Sequence, residues 1–391
     1  MLMKFSGDLS GASPERNHGL DTLRALAITL VFAYHYMVFV SRQPTFGWVS
    51  VVGWVGVDLF FVLSGYLIAN QLFEGRVRGQ QVSLKRFYAR RAMRTLPVFW
   101  VVLAAYFLWP TVMGGKTPAP LWRFLSFTQN YQLQPGTAFS HAWSLCIEEQ
   151  FYVAFPLVLV LVARLRSSVS KGWGLLIALI ALGIAARTWL WLQHGRESTG
   201  QLSGYHPNIY YATLCRFDEF LPGVAVAMLK NFHTDAWARW MQRGQALFLW
   251  GAIAVLAALF CVYNFYEIAD YGYGFFMTAF GYSLMAAAFA LLVAAALSPS
   301  SWLHRVRVSG AYQLALWSYS IYLSHKAIAF VLQTHGKSSG WSSATTLIAI
   351  AVACVMGGAV LYYVIELPFM RLRQRWFVSS LNEPALRRSQ A

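Results

Sequence analysis

Ionisable side chains lie inside apolar stretches that are long enough to cross a membrane. His35 lies about 13 residues into the first stretch, roughly 20 Å along a helix that rises 1.5 Å per residue. Four later stretches carry further charged or titratable residues: Asp58, Glu148, Glu149, Arg216, Asp218, Glu219, His325 and Lys326. Because such groups are costly in lipid, they usually face a wet cavity and have a function there. Their depths predict one shared cavity in the outer half of the membrane.

His35 and a neighbouring carboxylate have the chemistry of a general base. A neutral imidazole in a dry pocket can take the proton of a hydroxyl, while a carboxylate orients the ring and stabilises the imidazolium. Asp58 is the first candidate for this carboxylate and Glu149 is the second. A covalent intermediate on the imidazole is a second chemistry that the residues leave open. Any single charged residue could instead belong to a buried ion pair between helices.

Arginines cluster before the third apolar stretch, in the segment SLKRFYARRAMRTLP at positions 83–97. Arg86, Arg90 and Arg94 follow at four-residue steps, so a helix running into the third stretch would align them in one stripe. A guanidinium matches the geometry of a phosphate, and the stripe therefore predicts a phosphate site. A contact with anionic lipids combined with an insertion signal would produce the same pattern.

Arg24 and His35 are separated by almost three helical turns. Both residues then lie on one helix face, about 16 Å apart along its axis. The pantetheine arm of coenzyme A has a comparable length. An arginine at the mouth of a channel could hold phosphates while a thioester reached the histidine.

Other nucleophiles and metal sites have weaker support. The four cysteines, including Cys146, all fall in apolar stretches without a CxxC pair, which predicts buried core thiols and no metal site. Cys146 has no base partner, and Ser64 lacks the G-x-S-x-G elbow of serine hydrolases. Close helix packing explains Gly56 and Gly65 better than a phosphate loop does.

The composition requires many membrane spans. Of the 391 residues, 58% are hydrophobic and 12% are charged, and the mean hydropathy of +0.48 extends along the whole chain. The sequence predicts an all-α polytopic protein with about ten transmembrane helices. These are expected at 22–41, 54–72, 95–113, 141–163, 173–192, 209–229, 246–265, 274–297, 312–333 and 343–365.

The net charge of +16 is explained by membrane insertion and does not require nucleic acid. If the N-terminus is cytoplasmic, 23 of the 31 lysines and arginines fall on the inner side and five fall in outer loops. This asymmetry obeys the positive-inside rule and predicts that both termini are cytoplasmic. We expect a cytoplasmic segment at 1–19 without a cleaved signal peptide, one membrane domain at 20–376, and a cytoplasmic tail at 377–391.

Seven motifs give the chain a resemblance to a known family. They are LDTLRALAITLVFAYH, GWVGVDLFFVLSGYLI, RFYARRAMRTLPVFW, HAWSLCIEEQFYVAFPL, RFDEFLPGVAVAML, YSIYLSHKAI and IELPFMRLR. In this order they resemble the acyltransferase 3 family of membrane O-acyltransferases, and the likeness extends over most of the chain. The resemblance implies that acyl-CoA is the cytoplasmic donor, that His35 is the central catalytic residue, and that Glu149 and Tyr152 shape the site.

The resemblance and the charge pattern together define the expected site. The donor side is formed by arginines from the family motifs and from the stripe: Arg24, Arg86, Arg90, Arg91 and Arg94. The substrate pocket is expected to contain Trp143, Glu148, Tyr152, Arg216, Asp218, His325 and Lys326. We expect no permanently bound cofactor and no metal, because acetyl-CoA would enter and leave as a substrate.

The expected function is the transfer of an acyl group, acetyl by resemblance, to a sugar hydroxyl outside the cytoplasmic membrane. The acceptor would be a surface polysaccharide or its lipid-linked precursor, such as the O-antigen of lipopolysaccharide, an exopolysaccharide or peptidoglycan. Many relatives carry an additional hydrolase-like domain, so we expect either direct access of the acceptor or a periplasmic relay protein. A transporter of a glycan or metabolite, and acylation of a small secreted product, are the alternatives.

Overall fold

The computed structural model describes residues 17–80, 83–114, 118–165, 168–196 and 204–376. The predicted segment at 1–19 therefore lies mostly outside the described residues, and the tail at 377–391 lies wholly outside them.

The described residues form fifteen α-helices, most of them long. They are α1 His18–Tyr36, α2 Trp48–Val52, α3 Gly56–Val77, α4 Leu84–Leu108, α5 Leu121–Leu125, α6 Trp143–Arg164, α7 Val169–His194, α8 Thr213–Arg216, α9 Leu221–Phe232, α10 Thr234–Gln242, α11 Gly244–Phe265, α12 Tyr282–Leu297, α13 Trp302–Arg305, α14 Ala311–Ser338 and α15 Ser343–Leu361.

Short irregular helices extend or join these elements. The 3₁₀ turns are Gly53–Val55, Ser140–Ala142 and Phe217–Phe220, and the π-helical turns are Met37–Ser41, His206–Tyr210, Met277–Gly281 and Tyr362–Glu366. In the described residues, the β-structure is one antiparallel pair, β1 Glu267–Ile268 and β2 Gly272–Tyr273. The prediction of an all-α polytopic protein is confirmed.

Eight helical segments of the described residues are long and apolar enough to cross a membrane. They are His18–Ser41, Trp48–Val77, Leu84–Leu108, Ser140–Arg164, Val169–His194, Gly244–Phe265, Met277–Leu297 and Ser343–Trp376. Each corresponds to one of the predicted spans. The basic segment before the third span is part of the same helix, because α4 continues through Pro97 without interruption.

Helix α14 is a further membrane-crossing candidate, although its serines, tyrosines and histidine make it more polar. The Tyr319 hydroxyl donates to the Thr95 carbonyl on α4 at 2.9 Å, and the Gln333 amide donates to the Val40 carbonyl at 2.7 Å. Val40 follows directly on α1. Helix α14 therefore extends from the middle of α4 to the far end of α1, as expected for the span at 312–333.

The span expected at 209–229 is broken into α8, a 3₁₀ turn and α9, where a continuous helix was expected. The break falls at Arg216–Phe220, and Pro222 then occupies the first turn of α9, where proline is tolerated. The broken segment still lies alongside α3, from near its start to near its end. Arg216 pairs with Asp58 near the start of α3, and Lys230 pairs with Glu74 near its end.

Glycines allow α3 and its neighbours to approach closely. A Cβ atom added at Gly65 would overlap the backbone carbonyl of Phe220, and one added at Gly223 would overlap the carbonyl of Val62. At Gly56, an added Cβ would overlap the carbonyl of Ala27 on α1. The geometry therefore agrees with the packing interpretation of Gly56 and Gly65.

The substitution Gly65→Val should destabilise the bundle, because α3 and the break before α9 must separate to admit the side chain. We expect a loss of about 3 kcal/mol or more, at or beyond the upper end for overpacked cores. Gly174→Val is the matched control, since a Cβ at Gly174 meets nothing within 4 Å. The measurement is the thermal midpoint of the purified protein in detergent, and equal midpoints for the two variants would contradict the prediction.

Candidate active site

The ionisable residues of the membrane domain form three separate groups, where the sequence predicted one shared cavity. The histidine cluster consists of His35, His141, His325 and Lys326. The ion-pair network consists of Asp58, Arg187, Arg216, Asp218 and Glu219. The arginine cavity, the third group, contains Arg24, Arg90, Arg91 and Arg94 together with Glu148 and Tyr152.

The histidine cluster joins three elements at the far end of α1. The Nδ1 atom of His35 lies 2.7 Å from the Nε2 atom of His325 on α14, and the ring centroids are 4.8 Å apart. His141, in the 3₁₀ turn before α6, meets the His325 ring edge-on at a centroid distance of 5.0 Å. His141 and His325 are buried, whereas His35 keeps part of its surface accessible. His35 is therefore the least buried of the three histidines, and it lines neither part of the arginine cavity.

Lys326 ties the loop before α6 to α14 beside the histidines. Its ammonium donates to the Thr137 carbonyl at 2.8 Å and to the Ser140 hydroxyl at 3.1 Å. It also lies 4.7 Å from the ring centroid of Phe39, which stacks on His35. The predicted placement of His325 and Lys326 beside His35 agrees with this geometry.

Asp58 does not accompany His35, contrary to its expected position. Its Oδ1 atom accepts a hydrogen bond from Arg216 at 2.5 Å, and the carboxylate of Glu219 also accepts from Arg216. A buried guanidinium requires such partners, so it holds both carboxylates in the network. The second candidate, Glu149, lies beside Thr95 and Arg91 at the arginine cavity.

The ion-pair network is closely packed, and both of its arginines donate to several acceptors, whereas the Oδ2 atom of Asp58 has no hydrogen-bond partner among the described residues. Arg187 forms a bidentate pair with Asp218 at 2.6 and 2.9 Å, and both side chains are fully buried. The Arg216 guanidinium lies 4.2 Å from the Tyr282 ring centroid and 5.0 Å from the Trp143 ring centroid. Trp143, Arg216 and Asp218 were expected in a substrate pocket. They take part in these buried contacts and are not among the lining residues of the arginine cavity.

The arginine cavity has two connected parts. The inner part has a volume of about 260 Å³, and its lining includes Arg24, Ser64, Arg91, Arg94, Thr95, Ser144, Glu148, Tyr152, Tyr319 and Tyr322. The mouth has a volume of about 420 Å³ and is lined by Ile68, Gln71, Phe87, Arg90, Arg91, Arg94, Arg373 and Gln374. The two parts share Ile68, Gln71, Arg91 and Arg94. Arg86 is not among the residues that line either part.

Glu148 and Tyr152 position Arg91 in the inner part of the cavity. The guanidinium of Arg91 lies 3.6 Å from the Tyr152 ring centroid and 3.6 Å from a carboxylate oxygen of Glu148. That oxygen also accepts hydrogen bonds from the Tyr152 hydroxyl and, at 2.5 Å, from the Ser64 hydroxyl. Glu148 and Tyr152 therefore belong to the donor side, where they hold an arginine.

Tyr322 and Ser144 close the end of the cavity that points toward the histidines. Their hydroxyl oxygens are 2.6 Å apart, and the Tyr322 hydroxyl lies 2.6 Å from the carbonyl of His141, to which it donates. His325 follows Tyr322 by one helical turn, and His141 precedes Ser144 by a similar step. The cavity thus ends one turn short of the histidine cluster.

Four of the residues at this site were not predicted from the sequence: His141, Ser144, Tyr322 and Arg373. A signal existed for all four, and for Arg373 it was its place in the motif IELPFMRLR. His141 and Ser144 belong to the motif HAWSLC, and Tyr322 lies one turn before His325, so helical spacing from recognised residues would have found them. Arg373 comes from the extension of the last helical segment, and only the fold brings it to α4.

The match to a family of acyltransferases decides the classification. The model of that family, described as an acyltransferase domain, matches residues 17–364. The chain belongs to the acyltransferase 3 family. The resemblance inferred from the seven motifs is thereby confirmed. The histidine cluster lies within the matched residues, and so does the arginine cavity apart from Arg373 and Gln374 at its mouth.

Curated members of the acyltransferase 3 family are similar to this chain at moderate identity. The peptidoglycan O-acetyltransferase OatA of Listeria monocytogenes is 29% identical over 79% of this chain and 49% of its own length. YrhL of Bacillus subtilis, whose name marks it as a candidate peptidoglycan O-acetyltransferase, is 28% identical over 93% of this chain and 57% of its own length. The chain thus spans about half the length of these relatives. No solved structure matches.

The bidentate pair of Arg187 and Asp218 should show the pattern of a buried structural ion pair. Arg187→Leu and Asp218→Leu should each destabilise the protein by about 3–5 kcal/mol, because each leaves an uncompensated charge. The double variant should recover part of that loss.

Resistance to denaturation in detergent micelles measures this effect. Glu74→Gln is the control, because Glu74 pairs with Lys230 at 2.9 Å while about a third of each side chain is exposed, and it should cost under about 1 kcal/mol. A double variant that loses the full sum of the two single losses would contradict the prediction.

Proposed function

We propose that this protein transfers an acetyl group from acetyl-CoA to a sugar hydroxyl of a cell-surface polymer, across the cytoplasmic membrane. The observation that carries the proposal is the arginine cavity, which extends from the basic face of the bundle to within one turn of the histidine cluster. Membership of the acyltransferase 3 family and the names of the relatives support it.

The mouth of the arginine cavity is suited to the phosphates of coenzyme A. Among the described residues, its lining has four arginines and no carboxylate. Glu148 lies 3.6 Å from Arg91 in the inner part, but the mouth as a whole is strongly positive, so an anion there would be attracted. Guanidinium groups bind phosphate oxygens in pairs and orient them. The mouth lies on the face that the charge asymmetry predicts to be cytoplasmic, where acetyl-CoA is available.

The pantetheine arm would follow the inner part of the cavity past Arg24. The rise from Arg24 to His35 along α1 is about 16 Å. In this structure the Tyr322 hydroxyl interrupts that path at Ser144. The proposal therefore requires the Tyr322 side chain to move aside when the thioester advances, and ring rotation about the side-chain torsions provides that motion.

The chemistry at the histidine cluster is acyl transfer with general-base catalysis. His35 takes the proton of the acceptor hydroxyl while the oxygen attacks the thioester carbonyl carbon. The carbon–sulfur bond then breaks, and the coenzyme A thiolate leaves and receives the proton from His35. His35 returns to its neutral state, and the products are an O-acetyl ester and free coenzyme A.

The acceptor proposed first is a peptidoglycan sugar, because the first relatives are named for O-acetylation of that polymer. An O-antigen or an exopolysaccharide is the second candidate, since all three present sugar hydroxyls outside the membrane. Relay of the acyl group to the glycan by a periplasmic partner protein stays a prediction. The mouth of the arginine cavity favours an enzyme over a transporter, because a transporter of a glycan or metabolite has no evident need for a phosphate site there.

His35→Ala should abolish acetyl transfer and leave donor binding intact, because it removes the base and no donor-side arginine. We expect turnover to fall by about 10³-fold or more. The measurement is transfer of radiolabelled acetate from acetyl-CoA to soluble peptidoglycan fragments by protein in lipid nanodiscs. His335→Ala on α14, an exposed histidine outside the cluster, is the control. Turnover of His35→Ala at the wild-type rate would refute the assignment.

Arg373→Gln should weaken acetyl-CoA binding about 5- to 30-fold, the loss expected when one charge-assisted phosphate contact is removed. The dissociation constant is measured by calorimetry at two salt concentrations, and the variant should show the weaker salt dependence. Arg164→Gln removes an equal charge from an exposed position at the end of α6. If both variants bind acetyl-CoA alike, Arg373 is not part of the donor site.

A further inference from the structure

His325 has hydrogen-bond partners that define the position of its proton. Its Nδ1 atom lies 2.8 Å from the carbonyl oxygen of Tyr322 and 3.2 Å from that of Ile321. A carbonyl oxygen only accepts hydrogen bonds, so Nδ1 must carry the hydrogen. In the neutral imidazole the other nitrogen, Nε2, is then an acceptor.

The tautomer of His35 follows from that of His325. The Nδ1 atom of His35 faces the acceptor Nε2 of His325 at 2.7 Å, and it must therefore donate. The proton of neutral His35 is thus held on Nδ1, and Nε2 keeps its lone pair. That nitrogen is the one available to take a proton or attack a carbonyl carbon.

We propose that His325 is a positioning residue that fixes the tautomer and orientation of His35. This inference rests on the proposed function of His35 as the base and deepens it. The role resembles that of a carboxylate that orients a histidine in other acyl-transfer enzymes, which the sequence analysis assigned to Asp58 or Glu149. Here a neutral imidazole has that role, and two backbone carbonyls of α14 orient it in turn.

The arrangement also provides a place for the positive charge that forms on His35. When Nε2 takes a proton, the Nδ1 hydrogen of His35 points at the lone pair of His325, and the imidazolium is stabilised by this hydrogen bond. His325 then directs its own Nδ1 hydrogen at the carbonyl oxygens of Ile321 and Tyr322. No proton has to leave the pair before His35 returns it to the leaving thiolate.

Two substitutions separate positioning from a general structural role. His325→Gln can keep an acceptor oxygen near the former Nε2 position, whereas His325→Leu offers none. We expect His325→Leu to lower kcat about 10³-fold, the scale of a misoriented or wrongly protonated base, with the KM for acetyl-CoA within about twofold. His325→Gln should retain kcat within about tenfold of the wild type. His335→Leu on the same helix is the matched control.

A spectroscopic measurement tests the tautomer without requiring turnover. Nitrogen-15 spectra of histidine-labelled protein should show His35, assigned by its loss in His35→Ala, with a protonated Nδ1 and an unprotonated Nε2. In His325→Leu the His35 signals should move toward the tautomer that an unconstrained histidine side chain prefers, which carries the proton on Nε2. If the Leu variant does not purify, His325→Met is the comparator.

The outcomes distinguish this inference from the proposed function. A wild-type protein that does not bind acetyl-CoA overturns the proposed function, while the spectrum still decides the tautomer. A His35 ring protonated on Nε2 in the wild type overturns the inference. So does wild-type kcat in His325→Leu, or an equal loss in the Gln and Leu variants.

Discussion

The structure depends on the burial of Arg216 among two carboxylates and several aromatic rings. A guanidinium without access to water is tolerated only where its charge and its donors have partners, and Asp58 and Glu219 provide them. Because Asp58 lies at the start of α3 and Arg216 at the break before α9, the pairing holds the two segments in register. The close contact of α3 with α9 follows, and α3 forms one wall of the arginine cavity.

The balance of positive and negative charge differs between the ion-pair network and the mouth of the arginine cavity. In the ion-pair network, opposite charges are within hydrogen-bonding distance and are fully buried, so their contribution is to the architecture. In the mouth of the cavity, arginines gather around open space without a carboxylate among the described lining residues. The histidine cluster differs from both, because the inferred contact between His35 and His325 is a hydrogen bond between two neutral imidazoles. Each group has the electrostatic character that its proposed task requires.

Local features of the sequence were sufficient for eight of the ten predicted spans, for the position of His35 near the end of α1 and for the helical arginines of α4. Each of these follows from hydrophobic length or helical spacing along one element. The sequence did not predict which charged residues pair with one another. Asp58 and Arg216 are 158 positions apart, and they meet only when α3 packs against the segment predicted as the span at 209–229. A carboxylate was expected beside His35 because residues at one depth were placed in one cavity. Depth alone does not specify which side of a helix faces which neighbour. For this reason the roles proposed for His325 beside His35 and for Arg373 at the cavity mouth depend on the fold.

The contact of the Tyr322 hydroxyl with Ser144 and the His141 carbonyl has a consequence for the cell as a whole. A bacterial membrane stores energy as differences in ion concentration and voltage, and a continuous watery passage through any abundant protein would discharge them. Under the proposed function, the hydrogen bonds among these two hydroxyl groups and one carbonyl would interrupt such a passage in the resting protein. A passage that opens only around an arriving thioester would be filled by that substrate. The protein could then transfer a group across the membrane without letting ions leak through.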